Sequence, residues 1–194
     1  MELPIYELQI SDDLNDEAEV NYVALVDRPA IQRNWNAFKD NVKFEIQNEE
    51  KRIISGPLML ADTPIYRNDA QHGEYYVVFS KDTVFTIAKK FFKKKYQANV
   101  NIGHDPNNKQ DDVTMFESWI VDKDRGIMPM KGFEDAPDGS WFGSFAVDND
   151  ETWMKVKQGD VKGFSVEGIF NYTKAKTKEE VMLDSIKDIL KSIK

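Results

Sequence analysis

Gly163-Phe164-Ser165-Val166-Glu167-Gly168-Ile169-Phe170 is the stretch on which the reading of this chain turns. Phe164, Val166 and Phe170 are strand formers, and Phe164 and Val166 alternate with Ser165 and Glu167, as side chains do along a β-strand. A serine and a glutamate are therefore expected on one face and bulky apolar side chains on the other. The two polar groups stand roughly 6–7 Å apart along the chain, at about 3.3 Å of rise per residue. Glycines at 163 and 168 bracket the two polar residues, and a glycine in a strand marks a bulge or the close approach of another backbone.

Outward from this strand, the order is one of many short strands and few helices. Strands are expected at 3–10, 21–27, 42–47, 53–61, 75–79, 114–121 and 140–147, with a further strand-like run, Asn101-Ile102-Gly103-His104-Asp105, ending on a histidine. The acidic stretch Ser11 to Glu19 reads as a solvated loop, Tyr66 to Gly73 as a polar separator, and Trp35 to Phe38 as a short turn or helical piece. Ser80 caps an expected helix over 81–96. Its lysines (Lys89, Lys90, Lys93, Lys94 and Lys95) read as a solvated end opposing the helix dipole. Asp148 or Asn149 caps a second helix through Lys157, stopped by Gly159. Lys176 to Lys194 repeats apolar residues at spacings of three and four and reads as an amphipathic helix, with Asn171 to Thr177 as its linker. This pattern predicts an α+β, mainly antiparallel β fold, organised as a small β-barrel with peripheral helices. The domain is expected to span 1–172, with 173–194 as a docking or oligomerising helix.

Composition narrows the functions. The chain has 194 residues, 41% of them hydrophobic, enough for one domain with a real core. It has no cysteine and two histidines, which removes disulfides, thiolate metal sites and His-rich zinc sites; no cofactor is expected. Asp105 to Asp112 lacks the glycine and terminal glutamate of an EF-hand loop. The formal net charge of -8 argues against nucleic-acid binding, and no apolar run reaches a membrane span, so a soluble intracellular protein is expected.

Ser165 and His104 form the candidate catalytic pair. A serine hydroxyl is a poor nucleophile until a base takes its proton, and histidine suits that task. His72 lies in a polar loop beside Gly73, which leaves His104 as the base. A third group must hold the imidazole in one tautomer, and three carboxylates compete for that role. Glu167 shares the face of Ser165. Glu117 would face His104 if the strands around residues 102 and 117 paired as a hairpin. Asp105 adjoins His104 but points the other way in an extended chain. Glu117 and Glu167 stand equal, with Asp105 behind. Gly163-Phe-Ser165-Val-Glu167 is not the Gly-x-Ser-x-Gly elbow of α/β-hydrolases.

Gly103-His104-Asp105, Phe116-Glu-Ser-Trp-Ile-Val121 and the run from Trp153 through Lys155, Lys157, Gly159 and Val161 to Phe-Ser165-Val-Glu-Gly168 together resemble the XkdF-type serine proteases of tailed phages. Tyr22-Val-Ala-Leu-Val-Asp-Arg-Pro-Ala30 fits the same pattern. The family is similar to prohead maturation proteases and, through them, to herpesvirus assemblins. That resemblance implies a herpesvirus-protease-like barrel that cuts phage scaffold and major capsid proteins inside the prohead, in the cytoplasm of the bacterial host; the C-terminal helix is expected either to dock on the scaffold or to mediate a homodimer. It also implies Ser165 as nucleophile and His104 as general base. The alternatives are a non-catalytic capsid-assembly or scaffold-binding module on the same fold, and a peptide- or carbohydrate-binding domain built on Trp119, Trp141 and Trp153.

Overall fold

The protein's structure, a computed structural model, describes residues 3–28, 43–70 and 72–174. The expected turn at Trp35 to Phe38 and the expected helix at Lys176 to Lys194 lie outside the described residues. Strands β1 (Ile5–Gln9), β2 (Glu19–Val26), β3 (Glu45–Asn48), β4 (Ile53–Met59), β5 (Ile65–Asp69) and β6 (Gly73–Val78) precede helix α1 (Lys81–Lys93). Then follow β7 (Val100–Ile102), β8 (Val113–Ile120), β9 (Trp141–Val147), helix α2 (Asp150–Gln158), β10 (Gly163–Ile169) and β11 (Asn171–Lys174). The strands build three sheets in the orders β11-β1-β6-β5, β10-β2-β7 and β3-β4-β9-β8. Pairing is antiparallel except for β1 with β6 and β2 with β7, so the fold is α+β and mostly antiparallel.

Among the described residues, the strands do not close into the expected barrel. The ladder of the middle sheet runs out because β7 is only three residues long; past it, a single bridge joins Asn101 to Lys109. Two local expectations are also corrected. The stretch expected as a polar separator contains β5, which pairs with β6 from Ile65 opposite Val77 to Asp69 opposite Gly73. Its polar side chains hid a strand that buries only its first residue, Ile65. Asn171 to Lys174, expected as linker, is a strand against Tyr6 to Gln9.

The core joins the sheets. Phe164 of β10 packs its ring against Phe44 and Phe145, with centroids 5.2 and 4.7 Å away, so the bulky face of the site strand is a principal seam of the interior. Burying such a ring contributes about 1.5–3 kcal/mol. Trp141 and Trp153 are buried, and Trp119 stacks on Phe142, so these rings belong to the core rather than to a binding platform.

Helix α1 begins at Ser80, whose hydroxyl accepts from Thr83 N, and α2 begins at Asn149, whose side chain accepts from Thr152 N. Gly159 ends α2 with φ 74°, a left-handed cap that glycine takes without strain. α1 presents Val84, Ile87, Ala88 and Phe91 to the core, whereas Phe85 is exposed. Lys90, expected on the solvated end, is 1% exposed instead. Its ammonium donates to the carbonyls of Ser11, Asp16 and Ala18 at 3.4, 3.1 and 2.9 Å. A buried cation is tolerated here because its three donors are used. The lysine pins the acidic loop that leads into β2, and Lys94 and Tyr96 hold Glu19 at the start of that strand. The central strand of the site sheet is thereby anchored at its entry.

Candidate active site

The site stands on the sheet β10-β2-β7. Ser165 lies opposite Ala24, and Ala24 opposite Asn101, so these three side chains line one row on the same face. Ala24, between the two polar residues, is fully buried. Glu167, two residues along β10, points to that same face. The register of β10 against β2 shifts between Glu167 and Gly168. A side chain at Gly168 would put its Cβ 2.2 Å from the Glu19 carbonyl oxygen, so the bulge and the backbone approach expected from sequence are both present.

His104 arrives from the end of β7 on a tight turn. Gly103 and His104 have φ values of 67° and 63°, and Asp105 N donates to the Ile102 carbonyl at 3.2 Å. Two successive left-handed residues closed by such a bond have the pattern of a type I′ turn, which glycine enters freely and histidine more readily than most residues. Gly103 N also donates to Leu25 O at 3.0 Å, fastening the turn to the central strand. Asp105 accepts from Asn107 N at 2.9 Å, so its carboxylate shapes the loop.

His104 Nδ1 lies 3.1 Å from Glu167 Oε1. A carboxylate can only accept, so a proton on Nδ1 suits this contact, and Nε2 is the ring nitrogen away from the carboxylate. Asn101 Nδ2 donates to the same Glu167 oxygen at 2.6 Å. Asn101 is 1% exposed, and its Oδ1 is buried without a partner. Glu117 lies in a different sheet, on β8 opposite Ser144, and is exposed; β7 pairs with β2, so the hairpin that would have turned Glu117 toward His104 does not form. Of the competing carboxylates, Glu167 is the one beside the imidazole.

Ser165 is 6% exposed and opens on a cavity of about 560 Å³ that His104 and Glu167 also line. Among the described residues, no hydrogen bond reaches its hydroxyl. His72 is engaged elsewhere: it lies 3.1 Å from Asp69 and stacks on Tyr172. Burial and the bond to Asp69 push the neighbouring Tyr75 phenol well above its ordinary range. Asn101 escaped the sequence reading of the site. The available signal was an amide between two apolar strand residues, three positions before the histidine.

A mainly antiparallel α+β chain with a serine, a histidine and a carboxylate around one cavity has the ingredients of a serine hydrolase. A family model described as "Putative phage serine protease XkdF" matches residues 41–174, and the chain belongs to that family. The match includes Ser165, His104, Glu167 and Asn101 and begins after the Tyr22 to Ala30 stretch. No curated protein and no solved structure matches the chain.

Proposed function

We propose that this protein is a phage prohead serine endopeptidase in which Ser165 attacks the scissile carbonyl, His104 moves the proton and Glu167 orients the imidazole. The observation that carries the reading is the 3.1 Å approach of Glu167 Oε1 to His104 Nδ1, beside the cavity that Ser165 lines. With Nδ1 protonated, Nε2 takes the serine proton during attack and returns it to the leaving amine; water then releases the acyl group by the reverse route. The imidazolium formed on the way is stabilised by the Glu167 carboxylate. Among the described residues, β10 is an edge strand of its sheet, and an extended substrate segment pairs along that edge in this reading, a mode that main-chain hydrogen bonds support.

The substrates in this reading are scaffold and major capsid proteins, cut within the assembling prohead in the host cytoplasm. In this reading the sheets correspond to the herpesvirus-protease barrel, and the segment that follows β11 serves as a docking or dimerising element. A second reading, a non-catalytic assembly module, is favoured by one observation: the Ser165 hydroxyl makes no hydrogen bond to His104 among the described residues. Catalytic hydrogen bonds often tighten only when substrate binds, which keeps the peptidase reading ahead.

The two readings part in one experiment. Co-expression with the capsid and scaffold proteins yields cleaved products for the wild type and none for Ser165→Ala or His104→Ala. A fluorophosphonate probe labels the wild type at Ser165. Undiminished processing in either variant, or particle assembly indifferent to Ser165→Ala with no labelling, overturns the peptidase.

A further inference from the structure

The cavity beside Ser165 is walled mostly by apolar side chains, among them Leu58, Leu60, Phe79 and Phe170, yet Arg67 also lines it. Arg67 is on β5, where alternation puts it on the same face as Ile65, and it pairs across with Tyr75 as Ile65 does with Val77. Ile65, Tyr75 and Val77 are 7, 2 and 0% exposed, so this is the inward face of the sheet. Arg67 itself is half-buried, so its guanidinium is partly withdrawn from water at the cavity wall. Among the described residues, the one hydrogen bond this side chain makes runs from Nη1 to the adjacent Tyr66 carbonyl, at a long 3.4 Å, and no carboxylate pairs with it. The chain has 34 acidic and 26 basic residues, so partners for an arginine are plentiful. That this one stands without a carboxylate, in the cavity that the nucleophile lines, points to a ligand that supplies one.

We infer that Arg67 is a specificity residue: the cavity accepts a peptide segment that combines a large apolar side chain with an acidic one, and Arg67 binds the acidic side chain. The inference rests on the endopeptidase reading and deepens it by naming the substrate class. The apolar walls bury the hydrophobic residue by area, whereas the guanidinium forks onto the carboxylate with two parallel N–H donors. The protein's overall charge of -8 repels an acidic peptide at long range, so recognition has to come from this local cation. The cavity's size falls within the range of about 300–1,000 Å³ typical of ligand sites, room for more than one side chain.

The test uses the full chain and a library of peptides amidated at the C-terminus, so that side chains are the only peptide carboxylates. The wild type is expected to cleave peptides that carry Glu or Asp next to a large apolar residue in preference to their Gln or Asn counterparts. In Arg67→Gln, kcat/KM for the acidic peptides falls about 10- to 100-fold, mostly through KM, and the preference over the neutral peptides disappears. Arg67→Lys keeps part of the preference, because it retains the charge and loses the fork. A circular-dichroism spectrum and thermal midpoint that match the wild type show that the variants are folded. A wild type that cleaves peptides without preferring acidic ones, or a preference unchanged in Arg67→Gln, overturns this inference and leaves the peptidase standing. A wild type that cleaves no peptide and takes no fluorophosphonate label overturns both.

Discussion

Asn101 Nδ2 donates to Glu167 Oε1 at 2.6 Å, and that same oxygen faces His104 Nδ1 at 3.1 Å. The amide therefore stands behind the carboxylate as the carboxylate stands behind the imidazole, in a chain that crosses from β7 to β10 over the small side chain of Ala24. Glu167 would otherwise have rotamer freedom at the end of a flexible stem. With Oε1 bonded to the Asn101 amide, the carboxylate is held beside the imidazole.

Asn101 is thus expected to act as a positioning residue. Asn101→Ala should lower kcat about 10- to 100-fold while KM changes little, since a hydrogen bond to a charged group is lost away from the substrate. Peptide cleavage and the rate of fluorophosphonate labelling check this together. A loss confined to KM, or none, would remove Asn101 from the site.

The carboxylate assignment separates two variants that the sequence treats alike. Glu167→Gln should cost roughly 10⁴-fold in kcat, the scale seen when a triad carboxylate becomes an amide and the wrong tautomer is held. Glu117→Gln, on an exposed position of another sheet, should stay within about twofold of wild type, since nothing it touches changes at the site. Equal losses in the two would return the third member to doubt.

Gly168→Ala should destabilise the fold. The added methyl would meet Glu19 O at 2.2 Å and Val20 Cα at 2.9 Å, backbone atoms that cannot swing aside. Overpacking of this kind costs about 1–3 kcal/mol, and more where backbone must move. Thermal unfolding followed by circular dichroism should show a lower midpoint. An unchanged midpoint would mean that the bulge relaxes freely.

Lys90→Met keeps the stem's volume and removes the ammonium. Three carbonyls, those of Ser11, Asp16 and Ala18, then lose their donor beside the core. A loss of about 2–3 kcal/mol is expected from urea unfolding, because the penalty comes from stranded acceptors rather than from lost packing. Lys93→Met, a step along the same lysine run, should sit near zero. If both variants unfolded alike, the Lys90 contacts would carry no weight.

What could be read locally was read from sequence: the polar and apolar faces of β10, a glycine marking a bulge or close approach, the caps at Ser80 and Gly159, and the second helix's start to within one residue, Asp148 or Asn149. Each depends on residues a few positions apart, where backbone geometry and chain alternation act directly. β5 escaped because Tyr66, Arg67, Asn68 and Asp69 carry no apolar period, and its strand form comes from the ladder with β6. Lys90 looked solvated because nothing in the helix itself announces three carbonyls arriving from the loop of residues 11–18.

The sequence by itself therefore determined the strand-rich class, the serine, and a glutamate on the serine's face, since a period of two needs no knowledge of neighbours. Only the tertiary structure decided which carboxylate meets His104, that Asn101 backs it, and that Arg67 lines the same cavity. Those outcomes depend on β7 pairing with β2 instead of β8 and on β5 closing over the cavity. Strand partnership is chosen by the burial of whole faces across the molecule, which residues near in sequence do not encode.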